Sequence, residues 1–128
     1  MRAPKVKWLD RTLVVGPYLA LCLTEAEYLA AAKRVGWTDS PLWCNPGGGH
    51  VHMEFKSSRP VAIVCMDYEG NDAVEVAGII AHESLHIWQD WLIAMGEESP
   101  GDEISAYAVQ NLTVVLMSEW ARRQDVKA

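Results

Sequence analysis

His82, Glu83 and His86 stand in the stretch IIAHESLHIWQD, residues 79–90. On a helix, residues four apart are separated by about 40° around the axis and one turn along it. Two imidazoles so placed can hold one ion from a single face. Glu83 lies about 60° beyond His86, too far round to join them easily but able to reach a water on the same ion. Neutral imidazoles are ordinary ligands of zinc, and a carboxylate beside an acidified water is a general base. The flanking residues Ile80, Ala81, Ser84, Leu85, Ile87 and Trp88 carry no charge. A carboxylate buried without a partner costs several kcal/mol, so Glu83 in such a helix requires a cation or a hydrogen bond. The same string also arises by chance on charged, solvated helix faces. The apolar flanks favour the metal.

The elements that must position these groups can be read from capping and turn residues. Asp72-x-x-Glu75 is a capping box that predicts a helix of about six turns ending near Gly96. Leu85, Trp88, Trp91 and Leu92 mark the face turned away from the histidines, and a helix apolar on nearly every side is expected to be buried. Upstream, Val6 to Leu23 reads as two short strands about a Gly16-Pro17 turn. Thr24-x-x-Glu27 opens an amphipathic helix that stops at Gly36, with Tyr28, Leu29, Ala32 and Val35 on one face. After the Gly- and Pro-rich stretch GWTDSPLWCNPGGGH, residues His50 to Phe55 and Val61 to Tyr68 predict a hairpin. A last helix is expected from Ser99 as N-cap, with Pro100 at its first position, to about Arg123. Strands, helix, strands, helix, helix make an α+β domain, and 128 residues suit one such domain with a single core.

The pattern resembles the zincin metallopeptidases, through the motif helix and the segment C-terminal to it. The resemblance implies a small sheet, an active-site helix, a bound Zn2+ and a third ligand supplied downstream. Metzincins take that ligand from His-x-x-Gly-x-x-His directly after the motif; here IWQDWLIAMG comes next, and His86 is the last histidine. Glu103, 17 residues beyond His86, is the candidate, which resembles the gluzincin arrangement of a glutamate on a following helix. An acid in a first turn also suits the helix dipole without any ligand role. Asp102 is the main rival, ahead of Glu97 and Glu98. Larger gluzincins carry Glu-x-x-x-Asp, whose aspartate orients a histidine; here EISAY puts Tyr107 at that position. Its hydroxyl would bind a histidine nitrogen, steady Glu103 or donate to an oxyanion, unless Tyr107 is a packed core residue. Asp90, one turn after His86, is a further acceptor for a ligand histidine. HESLHIWQ with the later E-x-x-A-Y-x-x-Q-N also resembles small metallopeptidase-like proteins encoded by phages and prophages.

The implied function is zinc-dependent hydrolysis of peptide or amide bonds, with Glu83 as general base. The alternative is a non-catalytic phage assembly or host-interaction protein on the same scaffold. An extended peptide substrate would add to an edge strand of the sheet; Val61 to Asp67, directly before the motif helix, is the preferred edge.

Composition bounds the rest. A net charge of −6 and a pI near 5.1 argue against nucleic acid, which needs a basic surface. MRAPKVKWLDRTLVV has no apolar run of signal-peptide length, because Asp10 and Arg11 interrupt it, and no stretch has transmembrane length. A cytoplasmic product with no membrane partner is expected. Cys22, Cys44 and Cys65 suit buried thiols rather than a disulfide framework. Cys44, His50 and His52 do not match a usual zinc spacing and are read as structural or substrate-proximal. Gly47-Gly48-Gly49 lacks the lysine and following helix of a phosphate loop, and reads as a turn beside the cleft.

Overall fold

A computed structural model describes residues 3–9, 16–39 and 42–127, with side chains through residue 124. Four strands and three helices run in the order β1 (Trp8–Leu9), β2 (Tyr18–Cys22), α1 (Glu25–Arg34), β3 (Gly49–Glu54), β4 (Val61–Met66), α2 (Ala73–Met95) and α3 (Asp102–Lys127). The strand expected to run up to the Gly16-Pro17 turn falls partly on residues 10–15, outside the described residues. The α+β class holds: a mixed sheet in the order β1-β2-β4-β3, with β2 and β4 parallel and the other pairs antiparallel.

β4 reads VAIVCM and is buried at every position, as a strand covered on both faces must be. Ala62, Val64 and Met66 face the α2–α3 hairpin with Leu19, Leu21, Ile80, Ile87, Leu112 and Leu116. Val61, Ile63 and Cys65 face α1, with Tyr28, Ala31 and Ala32. Each fully buried Ile or Leu in these layers contributes roughly 1.5–3 kcal/mol. The hairpin β3–β4 forms as expected, but the preferred edge is corrected. β4 lies between β2 and β3; the edge strands are β1 and β3, and β3 is the one beside the motif helix.

The helix signals act locally, with adjustments. Thr24 Oγ1 accepts from Glu27 N at 3.2 Å, while Glu27 Oε1 accepts from Leu23 N at 3.1 Å, one residue upstream of the reciprocal box bond. That frees Glu27 to bind Arg123 through both guanidinium nitrogens, fastening the end of α3 to α1. Leu29, expected on the buried face, is 50% exposed. Asp72 caps α2 by accepting from Val74 N at 2.9 Å, rather than through a box with Glu75. Gly96, at φ 74°, ends α2 in the left-handed conformation. The last helix starts at Asp102, two residues after the expected Pro100, and Ser105 N bonds to Gly101 O at 3.1 Å. The apolar α2 is not buried throughout: Val74 is 81% and Leu85 46% exposed. Its buried stripe is Val76, Ile80, Glu83, Ser84, Ile87 and Trp88. The sheet and α3 cover only part of its circumference.

Candidate metal centre

The histidines project from the side of α2 that neither the sheet nor α3 covers. His82 and His86 are exposed, and Glu83 between them is only 4% exposed. Relative to Ile80 at the centre of the buried stripe, Glu83 lies about 60° round, His86 about 120° and His82 about 160°. The three residues therefore span the boundary between core and solvent. His82 Nε2 and His86 Nε2 approach to 3.2 Å, their rings edge to face. One nitrogen of such a pair must carry a proton towards the other's lone pair, or a cation must take the proton's place. Two zinc–nitrogen bonds near 2.05 Å at a tetrahedral angle put the nitrogens about 3.3 Å apart. The donor pair therefore fits a single zinc ion. One potential ligand atom from each of His82, Glu83 and His86 lies within 4.8 Å of the other two.

β3 supplies the wall beside Glu83. Gly47, at φ 74°, and Gly48 both stand opposite Asp67: Gly47 N donates to Asp67 O at 2.8 Å, and Asp67 N to Gly48 O at 2.9 Å. That is a β-bulge with glycine in the left-handed position, where other residues are strained. It brings Gly49 hard against α2. A Cβ on Gly49 would lie 2.7 Å from Ile79 Cγ2, 3.3 Å from Cys65 O and 3.5 Å from Glu83 Oε2. The Gly-rich run, read in the sequence as a turn beside the cleft, does abut the site. Its tight member is Gly49.

A cavity of about 570 Å³ opens in front of the group, lined by Gly47, Gly49, Tyr68, Glu75, Gly78, Ile79, His82 and Glu83. Tyr68 and Gly78 were not evident as site residues from sequence. Gly78 stands one turn before His82 and leaves open space where a side chain would project. That i, i+4 relation was the available signal. Tyr68 reaches the cavity from the loop after β4, which no local pattern reveals. Partial burial, followed by an interaction with the Glu75 carboxylate, raises the Tyr68 phenol above its ordinary pKa. It stays a protonated donor at neutral pH.

Glu103 and Tyr107 are not brought to this group. Trp88 Nε1 donates to Ser105 Oγ at 2.9 Å, so Ser105 marks the side of α3 that meets α2. Glu103 and Tyr107 each lie about 160° around α3 from Ser105 and so point away from α2. Both are exposed, Tyr107 by 52%. Asp90, Asp102, Glu97 and Glu98 are exposed as well and stand outside the group. On the far face of the sheet, His52 stacks on Tyr28 at 4.6 Å, and its Nε2 meets Trp43 O at 3.1 Å. Its neighbour His50 stands edge-on at 4.7 Å. Among the described residues this pair forms no metal-ligating group with Cys44. Also among the described residues, no helix is long and apolar enough to cross a membrane.

Comparison with protein-family models, with curated proteins and with solved structures found no match.

Proposed function

We propose that the chain is a zinc-dependent hydrolase of the zincin kind, acting on peptide or amide bonds. The observation that carries this reading is the convergence of His82 Nε2 and His86 Nε2 at 3.2 Å beside the nearly buried Glu83. A zinc ion held by the two imidazoles supplies Lewis-acid polarisation of a carbonyl and lowers the pKa of water. Glu83 takes the proton of the attacking water and passes it to the leaving amine. Its burial at the cavity wall holds the carboxylate in one place and strengthens its interaction with charge in front of it. Tyr68 borders the same cavity as a neutral phenol whose single O–H is taken up by the Glu75 carboxylate.

The open edge of β3 offers the substrate a backbone. Gly48 bonds to Asp67, so the next pair, Gly49 with Met66, is a non-bonded one. By the same alternation, the N–H and C=O groups of Gly49, Val51 and Met53 face away from β4. An extended peptide adds there as a further strand and runs past Glu83.

A second reading is favoured by one observation: Glu83 is itself the third member of the group, whereas Glu103 points elsewhere. Glu83 would then ligate the metal in a non-catalytic binding protein. Zinc titration and peptide hydrolysis on Glu83→Gln separate the two. On the hydrolase reading, zinc affinity stays within a few fold and turnover falls about 10²–10⁴-fold. Loss of zinc on a par with His82→Ala or His86→Ala makes Glu83 a ligand instead. Glu103 faces away from this group, so Glu103→Ala should leave zinc affinity unchanged; a loss of affinity on a par with His82→Ala would restore it as the third ligand.

A further inference from the structure

A second cavity, of about 480 Å³, lies far from the metal group. It sits where β2 and β4 begin, at the paired residues Tyr18 and Val61, beside the end of α1. The metal group lies across the sheet, near the opposite end of β4, where Met66 pairs with Gly49. Trp8, Tyr18 and Trp37 line the second cavity with Arg34, Ser57 and Arg59. In a chain of net charge −6, a cavity walled, among the described residues, by two guanidiniums and no carboxylate stands against the overall charge. Among the described residues, neither Arg34 nor Arg59 has a carboxylate partner; the ion pairs are Arg122–Glu119 and Arg123–Glu27. Arg34 in the last turn of α1 also complements the helix dipole. That accounts for one arginine and not for the convergence with Arg59, which comes from the β3–β4 turn.

We propose that this cavity binds a flat aromatic ring bearing an oxyanion. Arg34 and Arg59 hold the oxyanion, because guanidinium donors match the geometry of carboxylate and phosphate. Trp8 and Trp37 take the ring, which stacks on indole faces. The volume lies within the range of small-ligand sites. Such a site is independent of the metal and would let a small acid bind without entering the hydrolytic cleft.

The test is calorimetry with five probes on the full chain: N-acetyltryptophan, its neutral amide, adenosine 5′-monophosphate, adenosine and inorganic phosphate. The expected result is saturable binding of at least one aromatic acid, with its neutral counterpart and inorganic phosphate each at least tenfold weaker. Which acid binds identifies the oxyanion as carboxylate or phosphate. Arg34→Gln and Arg59→Gln, on exposed side chains that leave the core intact, should each weaken that acid about tenfold and leave zinc content unchanged. Shifts confined to two of the six tryptophan indole N–H resonances, assigned by Trp8→Phe and Trp37→Phe, would place the ring. The proposal is overturned if no acid saturates by about 1 mM, a Kd worth about 4 kcal/mol. It is equally overturned if neutral probes or bare phosphate bind as well as the acids, or if the double arginine variant binds unchanged.

Discussion

Gly49→Ala tests whether β3 is pressed against the metal helix as closely as the structure has it. The added methyl would stand 2.7 Å from Ile79 Cγ2, where carbon atoms prefer about 3.5–4.0 Å. Ile79 is β-branched and sits in α2, so its χ1 has one strongly preferred rotamer and cannot swing aside cheaply. On the other side, the Cys65 carbonyl at 3.3 Å belongs to the neighbouring strand and is fixed by the ladder. Strand and helix must separate by a few tenths of an ångström or more, an overpacking that costs about 1–3 kcal/mol. For a domain of this size that lowers Tm by roughly 3–15 °C. Ile79→Ala removes the methyl that clashes. Alone it loses packing at a partly buried position, yet in combination with Gly49→Ala it should recover at least about 1 kcal/mol relative to the sum of the single effects. Urea denaturation of the four proteins, each metal-free, measures this cycle. Additive single effects, or a Gly49→Ala protein as stable as the parent, would refute the packing argument. With it would go the placement of the β3 edge beside Glu83.

Thiol reactivity should follow burial. Burial raises the Cys22 thiol to about 12 and pushes the Cys65 thiol up strongly, while Cys44, only partly buried, is raised without a large shift. Iodoacetamide near pH 8 should therefore modify Cys44 in the folded protein and reach Cys22 and Cys65 only at the unfolding rate; equal rates at all three would refute this. His52 gives a pH dependence. Burial first, and the neighbouring His50, hold its pKa below the ordinary value, against a raising contribution from the Trp43 carbonyl. Its stabilising contribution is thus fully present above the unfolded value of about 6.5 and is lost as pH falls through the lower folded value. In chelator, the urea midpoint of the parent should fall more steeply from pH 7 to 5 than that of His52→Gln; parallel curves would show that His52 is not held neutral.

Much of what depends on residues within one or two turns of each other was determined by the sequence. The i, i+4 spacing of His82 and His86 is a property of any α-helix, so their convergence arises wherever the helix forms. Thr24, Asp72 and Gly96 act on backbone groups no more than a few residues away, and the helix ends fall within a residue or two of where they indicate. The β3–β4 hairpin is likewise local. Tertiary structure alone decided which strand of this hairpin is an edge, because β2, more than forty residues upstream of β4, inserts on its far side and leaves β3 open. It also decided the direction of Glu103: Ala108, Leu112 and Leu116 pack α3 into the core, the Trp88–Ser105 bond lies on that same side, and Glu103 and Tyr107 are left facing solvent. Gly49 and Tyr68 reach the cavity by the same long-range packing. A side chain's facing depends on which surfaces of two elements bury the most apolar area together, and that sum runs over residues distant in the chain.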